Sequence, residues 1–472
     1  MHSTYKQGAA LSVGTAVAGK AFSLANSLLI AFLFGASAGT DIYFYILLAA
    51  AILNGWLQGV NAAVIVPQFM HLRHKDARGA MGLANFFIYV YLAAAVLLTG
   101  MCFAFSGSHF AWLGALYFSA IFISGFLLSL AECYKLFKTY WLLPLNTLCA
   151  LLLLVLTRKI EASMLGYTIG YFIIAVGCLI ALKKSAGWDF GARRKDFGKK
   201  FVHDLAAAQP NGLAWAALGV APLVLIMQWP LAMTMVAYSR MLYESLIDIF
   251  TSKLNNVAKV KITAAAAAEE PAQTAAALKR TDIIVVFILA PVCAFTSFYA
   301  EDIIKLFFMR GSFNQDMAQA TAWYLQIFIL AVPLVSLHHN FYNLLSAMRL
   351  VKETALRYLI FALVFTAVFV LVVKEWGPQA YPITFFVLYI MIMLVNIWTA
   401  RQFAPFLAYR RHTLYMFKLM AISLLCSFAV SLRFENLFIS GSIFVLLNAF
   451  VFWVFGDVKK FKEAVNIKWK LR

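Results

Sequence analysis

Apolar stretches of about 20 residues, separated by short polar segments, follow one another along the whole chain. As α-helices they match the thickness of a bilayer, and they rarely show the period of two that a transmembrane β-strand requires. Only helices and closed barrels satisfy the backbone in lipid, so the pattern predicts an all-α polytopic membrane protein. The predicted spans are fourteen, near residues 9–34, 42–69, 81–106, 110–132, 140–157, 162–182, 205–228, 232–256, 281–300, 317–345, 355–373, 379–400, 413–432 and 437–456.

Composition supports this interpretation and narrows the function. The chain has 472 residues, of which 63% are hydrophobic and 12% charged. Fourteen spans use roughly 280 residues, which leaves no room for a sizeable soluble domain and argues against an enzyme with a water-facing catalytic domain. The net charge of +19 lies in loops, so no nucleic-acid partner is predicted. The six cysteines stand singly without metal-ligand spacing, and the sequence predicts no cofactor and no metal.

The distribution of basic residues predicts the topology. With a cytoplasmic N-terminus, most of the 39 Lys and Arg residues fall on the cytoplasmic side. The opposite side holds only Arg158, Lys159, Lys305, Arg310, Lys374 and Arg433. A miscounted helix would scramble this alternation, so both termini are expected in the cytoplasm, and cysteine probes near Ser37, Ser106 and Gly377 should react from outside.

Two long inner segments suggest the domain organisation. Residues 183–204 form a basic cytoplasmic linker, a candidate hinge between an N-terminal six-helix lobe at 1–182 and a C-terminal six-helix lobe at 205–403. Two extra transmembrane helices at 404–456 and a basic cytoplasmic tail at 457–472 follow. The Ala-rich segment 262–280 is polar enough for a surface helix, and the tail is either an ordinary cytoplasmic tail or a contact for anionic membrane lipids.

A weak internal repeat is consistent with two lobes. The turn after the first span reads Ala-Gly-Thr-Asp-Ile-Tyr-Phe at 38–44, and the turn after the seventh reads Ala-Met-Thr-Met-Val-Ala-Tyr at 232–238. Only an alanine, a threonine and an aromatic residue coincide. Similar turns six helices apart would relate two parallel repeats with a site between them.

Ionisable groups deep in the bilayer are functional candidates because they cost several kcal/mol there. Lys20 lies near the middle of the first span, on one helix face with small and polar residues: Ser12, Thr15, Gly19, Ser23, Asn26 and Ser27. This face either lines a water-filled cavity or packs closely through its small residues while Lys20 extends its ammonium towards water.

Two further helices carry polar stripes. The second span has Asn54, Gln58 and Asn61 on one face, and the eighth has the charge network of Arg240, Glu244 and Asp248. The second stripe is either an ordinary Arg240–Glu244 ion pair or an anion-binding arginine positioned by its acidic neighbours. The first six spans offer only Glu132 as a deep acid, near a helix end, so the pathway suits an anion, and phosphate fits both Lys20 and Arg240.

Two motifs resemble the MviN/MurJ-type lipid II flippase family, of the superfamily that includes polysaccharide flippases and multidrug exporters. One is Phe-Gly-Ala-Ser-Ala-Gly-Thr-Asp at 34–41; the other is Leu-Phe-Phe-Met-Arg-Gly-Ser-Phe at 306–313, followed by Thr-Ala-Trp at 321–323. Carried over by this resemblance, the family's cavity arginines fall at Lys20, Asn26, near Leu53 or Asn54, and at Arg240, and a glutamate becomes Gln58. Two of four cations remain, and no acidic pair matches the sodium site of some members.

The resemblance implies a flippase that moves an undecaprenyl-pyrophosphate-linked saccharide, lipid II or an O-antigen or exopolysaccharide type, from the cytoplasmic to the outer leaflet by alternating access. Lys20 and Arg240 would bind pyrophosphate, and Ser23, Asn26, Asn54, Gln58 and Asn61 would complete the substrate site. The expected location is the bacterial inner membrane, with possible glycan-assembly enzymes as partners. The alternatives are a multidrug or cation exporter and a non-transporting scaffold for glycan assembly.

Overall fold

The computed structural model describes residues 5–105, 108–193, 197–247, 262, 270–348, 350–434 and 436–465. Within these ranges the regular structure is helical, without a strand. In the described residues, twelve continuous stretches are long and apolar enough to cross a membrane. One of them, Leu356–Phe403, contains most of one α-helix and the whole of the next. The predicted all-α, multi-pass architecture is therefore confirmed.

The first half of the chain contains eight α-helices. They are α1 (Tyr5–Phe34), α2 (Ala38–Val60), α3 (Val66–Lys75), α4 (Ala77–Phe105), α5 (His109–Cys133), α6 (Leu145–Thr157), α7 (Ile160–Ala186) and α8 (Lys199–Ile226). A π-helical turn, Asn61–Ile65, joins α2 to α3, and a 3₁₀-helix, Phe137–Leu142, precedes α6. The predicted second span at 42–69 is thus an α–π–α unit that continues to Lys75.

The second half continues with α9 (Ala232–Leu246), α10 (Pro271–Phe298), α11 (Ala300–Phe308), α12 (Gln315–Ala347), α13 (Val351–Trp376), α14 (Ala380–Phe403), α15 (Tyr409–Ser431), α16 (Leu437–Val454) and α17 (Asp457–Val465). The short α11 and α17 were not predicted. Of the expected surface helix at 262–280, residues 271–280 form the beginning of α10. The predicted eighth span at 232–256 begins as α9, and residues 248–256 lie outside the described residues.

The chain divides into two compact units. Unit 1 comprises Met1–Thr234 with Arg310–Ser312 and Leu356–Val370, and unit 2 comprises Met235–Met309, Phe313–Ala355 and Leu371–Arg472. In unit 1, α7 packs on α5 and α6, and α2 packs on α5 and α8. In unit 2, α10 packs on α12, α15 and α17, and α12 also packs on α14. The lobe boundaries inferred from the sequence stay a prediction.

Glycines determine how closely α7 approaches its neighbour in unit 1. A Cβ atom at Gly166 would collide with the backbone of Ala150, and one at Gly170 with the backbone of Asn146. Side chains larger than hydrogen would push α6 away from α7. Close approach through small residues is how membrane helices gain packing energy when lipid is as apolar as their side chains.

The first part of the predicted linker is anchored to unit 1. Asn85 of α4 donates from its amide nitrogen to the carbonyls of Asp189 (2.8 Å) and Ala192 (3.1 Å), and its amide oxygen accepts from Trp188 Nε1 (2.8 Å). The Trp188 ring is 2% exposed and stacks on Phe69 with 5.8 Å between ring centroids. Helix α7 ends at Ala186, before Gly187 in the left-handed conformation, so the segment after it turns back onto α4.

Candidate functional site

Lys20 lies half-buried on α1, where the chain packs against the start of α6. The neighbouring Gly19 accepts a hydrogen bond at its carbonyl from Thr147 Oγ1, at 3.3 Å. On the predicted polar face, Thr15, Asn26 and Ser27 are buried, whereas Ser23 is half-buried like Lys20; the side chain of Ser12 lies outside the described residues. The buried residues of this face agree with close packing, and its half-buried residues agree with a cavity lining.

Asn26 belongs to a buried polar triangle that links α1, α2 and α7. Its amide oxygen accepts from Ser163 Oγ (3.2 Å), its amide nitrogen donates to the Tyr43 hydroxyl (3.4 Å), and Tyr43 and Ser163 are 3.0 Å apart. All three side chains are almost inaccessible to solvent. Here Asn26 joins helices, and its role in binding a substrate stays a prediction.

The polar stripe of the second span forms a hydrogen-bonded ladder along α2. Gln58 Nε2 donates to Asn54 Oδ1 (3.4 Å) and to the Phe122 carbonyl (3.1 Å), and Asn61 Nδ2 donates to Gln58 Oε1 (3.5 Å). The hydroxyl of Tyr91 closes the ladder by donating to Asn61 Oδ1 at 2.9 Å. Asn61 is buried, whereas Asn54 and Gln58 are half-buried. Asn61 is also the first residue of the π-helical turn, a feature that concentrates at functional sites.

Arg240 of α9 is held in unit 2 by three hydrogen bonds. Its Nε and Nη2 atoms donate to Glu244 Oε1 at 3.0 and 2.7 Å, and Nη1 donates to the Tyr381 hydroxyl at 3.2 Å. The ring of Tyr243 lies 5.9 Å from the guanidinium carbon, and the arginine side chain is 12% exposed. The predicted Arg240–Glu244 ion pair is thus present, and Asp248 lies outside the described residues.

The structure groups these candidates by unit. Lys20, Ser23, Asn26 and the α2 ladder belong to unit 1, and Arg240 with Glu244 belongs to unit 2. Across the described residues no group of three or more His, Cys, Asp or Glu side chains is placed to hold a metal ion.

A buried carboxylate in unit 1 adds to the acids considered from the sequence. Asp41, at the start of α2, is 6% exposed. Its Oδ2 atom accepts from the backbone N–H of Leu231 (2.6 Å), and Oδ1 accepts from the backbone N–H and hydroxyl of Thr234 (2.8 and 2.6 Å). From the sequence, Asp41 was assigned to a turn and therefore was not counted among the candidate acids, whereas the structure places it in the first turn of α2 and buries it.

The weak repeat now has a structural meaning. The Thr234 hydroxyl lies 2.9 Å from the Thr40 hydroxyl, and these are the two threonines that coincide in the repeat. Leu231 has a φ of +66°, so the chain turns sharply before α9 and directs its first N–H groups at Asp41. Asp41 therefore caps α9 from outside that helix. The coincident threonines were the available signal, but a repeat alone does not show that its copies touch.

The second family motif also has a local explanation. Gly311 has a φ of +62°, and a Cβ atom there would collide with the carbonyl oxygen of Phe32. The next residue, Ser312, donates its backbone N–H to that same carbonyl at 2.9 Å. Glycine is therefore required twice at this position, by conformation and by close approach to the end of α1.

Comparison with solved structures identifies the fold. The chain is similar to "Lipid II flippase MurJ, inward closed conformation", with a TM-score of 0.73 and 16% identity over 94% of this chain and 98% of that one. The chain has the MurJ fold. A multidrug resistance MATE family transporter of the MOP superfamily, inward-facing, follows with a TM-score of 0.64 and 13% identity, over 83% of this chain and 96% of that one.

A third solved structure shares this fold. A MOP superfamily transporter from Pyrococcus furiosus, described by the reverse polarity of its binding pocket, matches with a TM-score of 0.58 and 12% identity over 85% of this chain and 95% of that one. No protein-family model and no curated sequence matches the chain. The resemblance seen in the two motifs is thus confirmed at the level of the MurJ fold.

Proposed function

We propose that this protein is a flippase for a polyprenyl-pyrophosphate-linked saccharide, which it moves from the cytoplasmic to the outer leaflet by alternating access. The likeness of nearly the whole chain to the structure of a lipid II flippase supports a lipid-linked substrate. The observation on which the proposal depends most is the orientation of Arg240, an arginine with a 12% exposed side chain in a helix of a membrane protein.

Arg240 is suited to a pyrophosphate because its plane is fixed. Glu244 and Tyr381 orient the guanidinium through three hydrogen bonds before any substrate arrives. An arginine held in this way loses little side-chain entropy on binding, and its planar fork matches two phosphate oxygens at once. Glu244 also neutralises the guanidinium when no anion is bound, which reduces the cost of keeping the charge in an apolar environment.

The α2 ladder is suited to sugar hydroxyls. Asn54, Gln58 and Asn61 present amide groups that both donate and accept, as a hydroxyl does, and none of them is charged. Lys20 adds a single positive charge in the same unit as the ladder. Together these residues favour a substrate with many hydroxyls and little charge beyond its pyrophosphate, such as an O-antigen, capsule or exopolysaccharide precursor.

A multidrug or cation exporter is the rival function. The burial of Asp41 is an argument for it that the sequence alone did not provide. A cation pathway requires buried carboxylates, and Asp41 is one. All three of its protein hydrogen bonds, however, come from the turn and first residues of α9, as expected for a helix cap. The carboxylate is therefore already used in building the fold.

Reconstitution into liposomes tests the proposal. The purified protein is incorporated with a fluorescent polyprenyl-pyrophosphate disaccharide, and movement between leaflets is followed by chemical quenching from outside. We expect protein-dependent exchange that falls about tenfold or more in Arg240→Ala. A hydrogen bond to a charged group is worth about 1.5–3 kcal/mol, and about 1.4 kcal/mol corresponds to a factor of ten. The exposed Arg433 supplies the control variant, Arg433→Ala, which should exchange lipid like the wild type.

Two results would decide against the flippase. No exchange by correctly inserted wild-type protein would favour the scaffold for glycan assembly. Exchange of a lipophilic cation, but of no pyrophosphate lipid, would favour the exporter.

A further inference from the structure

A second buried carboxylate, in unit 2, makes a contact of a different kind. Asp282 of α10 is 0% exposed, and its Oδ2 atom lies 2.9 Å from Nε2 of His412 on α15. Its Oδ1 atom accepts a hydrogen bond from Asn340 Nδ2 of α12 at 2.7 Å. The His412 side chain is 5% exposed. Three helices that are far apart in sequence thus meet at one polar cluster, named here the Asp282 cluster.

Charge counting shows what this cluster can bind. With deprotonated Asp282 and neutral His412 the pair carries one negative charge, and with one added proton it is neutral. A second added proton would leave one positive charge. An unbalanced charge in a site closed to solvent costs several kcal/mol, so the closed arrangement favours the state with a single added proton.

Other charged groups on the packed helices are engaged elsewhere or exposed. On α12, His338 lies 3.3 Å from Asn396, and His339 is exposed. On α15, Lys418 pairs with Asp457 of α17 at 2.9 Å. The remaining cations near the cluster in sequence are half-buried or exposed: Lys279, Arg280, Arg410 and Arg411. The hydrogen-bond partners of the Asp282 carboxylate are thus His412 and Asn340.

Asn340 contributes a further buried polar atom to the Asp282 cluster, its amide oxygen. Asn340 is 0% exposed, and its amide oxygen accepts no hydrogen bond from the residues that the structure describes. A buried acceptor of this kind is rarely retained for stability, because an apolar replacement avoids its desolvation cost. The cluster as a whole is therefore more costly than a well-packed apolar contact between α10, α12 and α15.

We propose that Asp282 and His412 form a proton-binding site in unit 2, whose proton exchanges with water only when α10 and α15 separate around it. Proton binding and the separation of α10 and α15 are then thermodynamically linked. A proton that stabilises the closed arrangement must, by reciprocity, be bound more tightly in it. On the proposed function, on which this step rests, the proton is the ion that couples transport to an energy source.

Proton binding is measured directly on histidine. The full-length protein is labelled with ¹³C at histidine Cε1 and placed in lipid nanodiscs, and the His412 signal is assigned by its loss in His412→Gln. We expect this signal to titrate, and we expect Asp282→Asn to weaken proton binding by His412 at least about tenfold, one pH unit, because the counter-charge is removed. The exposed Asp302 gives the matched control, Asp302→Asn, which should leave the titration unchanged.

A measurement on the wild type covers the case in which Asp282→Asn does not fold. Hydrogen exchange of α10 and α15, corrected for intrinsic rates, should change around residues 282 and 412 between about pH 5 and 8, the range in which histidine titrates. In His412→Gln that change should be absent. Unchanged histidine titration in a folded Asp282→Asn variant, or pH-independent protection in the wild type, would overturn the proton site.

Coupling is tested separately in liposomes with an imposed pH gradient. The gradient should accelerate lipid exchange by wild-type protein and have no effect on His412→Gln. If the wild type moves no lipid under any gradient, the proposed function fails, and the nanodisc titration still decides whether the site binds a proton. If lipid moves without a response to the gradient, the coupling role is wrong.

Discussion

Asp41 and Thr234 hold together the turns that begin α2 and α9, through two hydrogen bonds of 2.6 and 2.8 Å to one carboxylate oxygen. The residues are 193 positions apart in the chain. A single acid thus caps a helix with which it shares no local sequence, and it does so at the two turns of the internal repeat.

Replacing Asp41 should destabilise the protein. In Asp41→Ala the backbone N–H groups of the half-buried Leu231 and the buried Thr234 lose their acceptor. A buried group left unpaired costs about 1–3 kcal/mol. We expect a lower midpoint of thermal unfolding in detergent, measured by intrinsic fluorescence. Asp302→Ala, on the exposed face of α11, is the control. Equal midpoints for wild type and Asp41→Ala would show that the cap is dispensable.

Gly311 should not tolerate even a methyl group. Gly311→Ala forces an alanine into a left-handed conformation and pushes its Cβ against the Phe32 carbonyl. We expect a loss of at least about 1 kcal/mol in the free energy of unfolding. A matched substitution at Gly100, where a Cβ meets nothing within 4 Å, should be neutral or stabilising because alanine favours helix. A more stable Gly311→Ala protein would contradict this account.

The two proposed phosphate ligands should respond differently to conservative exchange. Arg240→Lys removes the planar fork and its hydrogen bonds to Glu244 and Tyr381, so we expect the initial rate of lipid exchange to fall about tenfold or more. Lys20→Arg retains a positive charge and should keep more activity than Lys20→Ala. The assay is leaflet exchange in liposomes at matched protein incorporation. Full activity of both alanine variants would leave these residues with packing roles only.

Cysteine labelling tests the topology that the basic residues predict. In a cysteine-free background, single cysteines at Ser37 and Gly377 should react with an impermeant maleimide added to intact cells. Cysteines at Asp76 and Gly191 should react only after permeabilisation. External labelling at Gly191 would reverse the assignment of both termini to the cytoplasm.

Substrate class is tested by replacing an essential lipid II flippase. The resemblance implies losses of charge at Asn26, Asn54 and Gln58. On the proposed function, these losses would make the substrate site a better lining for hydroxyls and a weaker trap for the carboxylates of a peptide-bearing headgroup, although Asn26 itself is buried between helices. We therefore expect no growth from this protein alone, despite verified insertion in the membrane. Robust growth would assign lipid II as a substrate.

Helices were predictable from the sequence because their signal is local. An apolar stretch of bilayer length must be helical in lipid whatever it packs against. The predicted spans therefore agree with the described helices except at their ends, across Asn61–Ile65, and before α6, where the predicted span at 140–157 begins in the 3₁₀-helix Phe137–Leu142. Residues 248–256 of the eighth predicted span lie outside the described residues. The short α11 and α17 are too brief for a span, and neither was predicted.

The candidate site was harder to predict because it depends on hydrogen bonds between residues that are far apart in the sequence. Glu244 lies one turn after Arg240, and this ion pair was foreseen. The partners of Asp41 and Asp282 lie 58 to 193 residues away, and no spacing rule connects them. Tyr381, the second partner of Arg240, is 141 residues away and was missed for the same reason.

The hydrogen bonds of Asn85 to the segment after α7 determine where the polypeptide can be lengthened. Trp188, Asp189 and Ala192 each take part in hydrogen bonds to one asparagine, so the spacing among these three residues is fixed by a single side chain. A residue inserted after Gly191 would draw the Ala192 carbonyl away from Asn85 and leave a buried amide hydrogen without an acceptor. Epitope tags and fluorescent proteins therefore belong outside residues 187–192, although this segment was predicted to be part of a hinge.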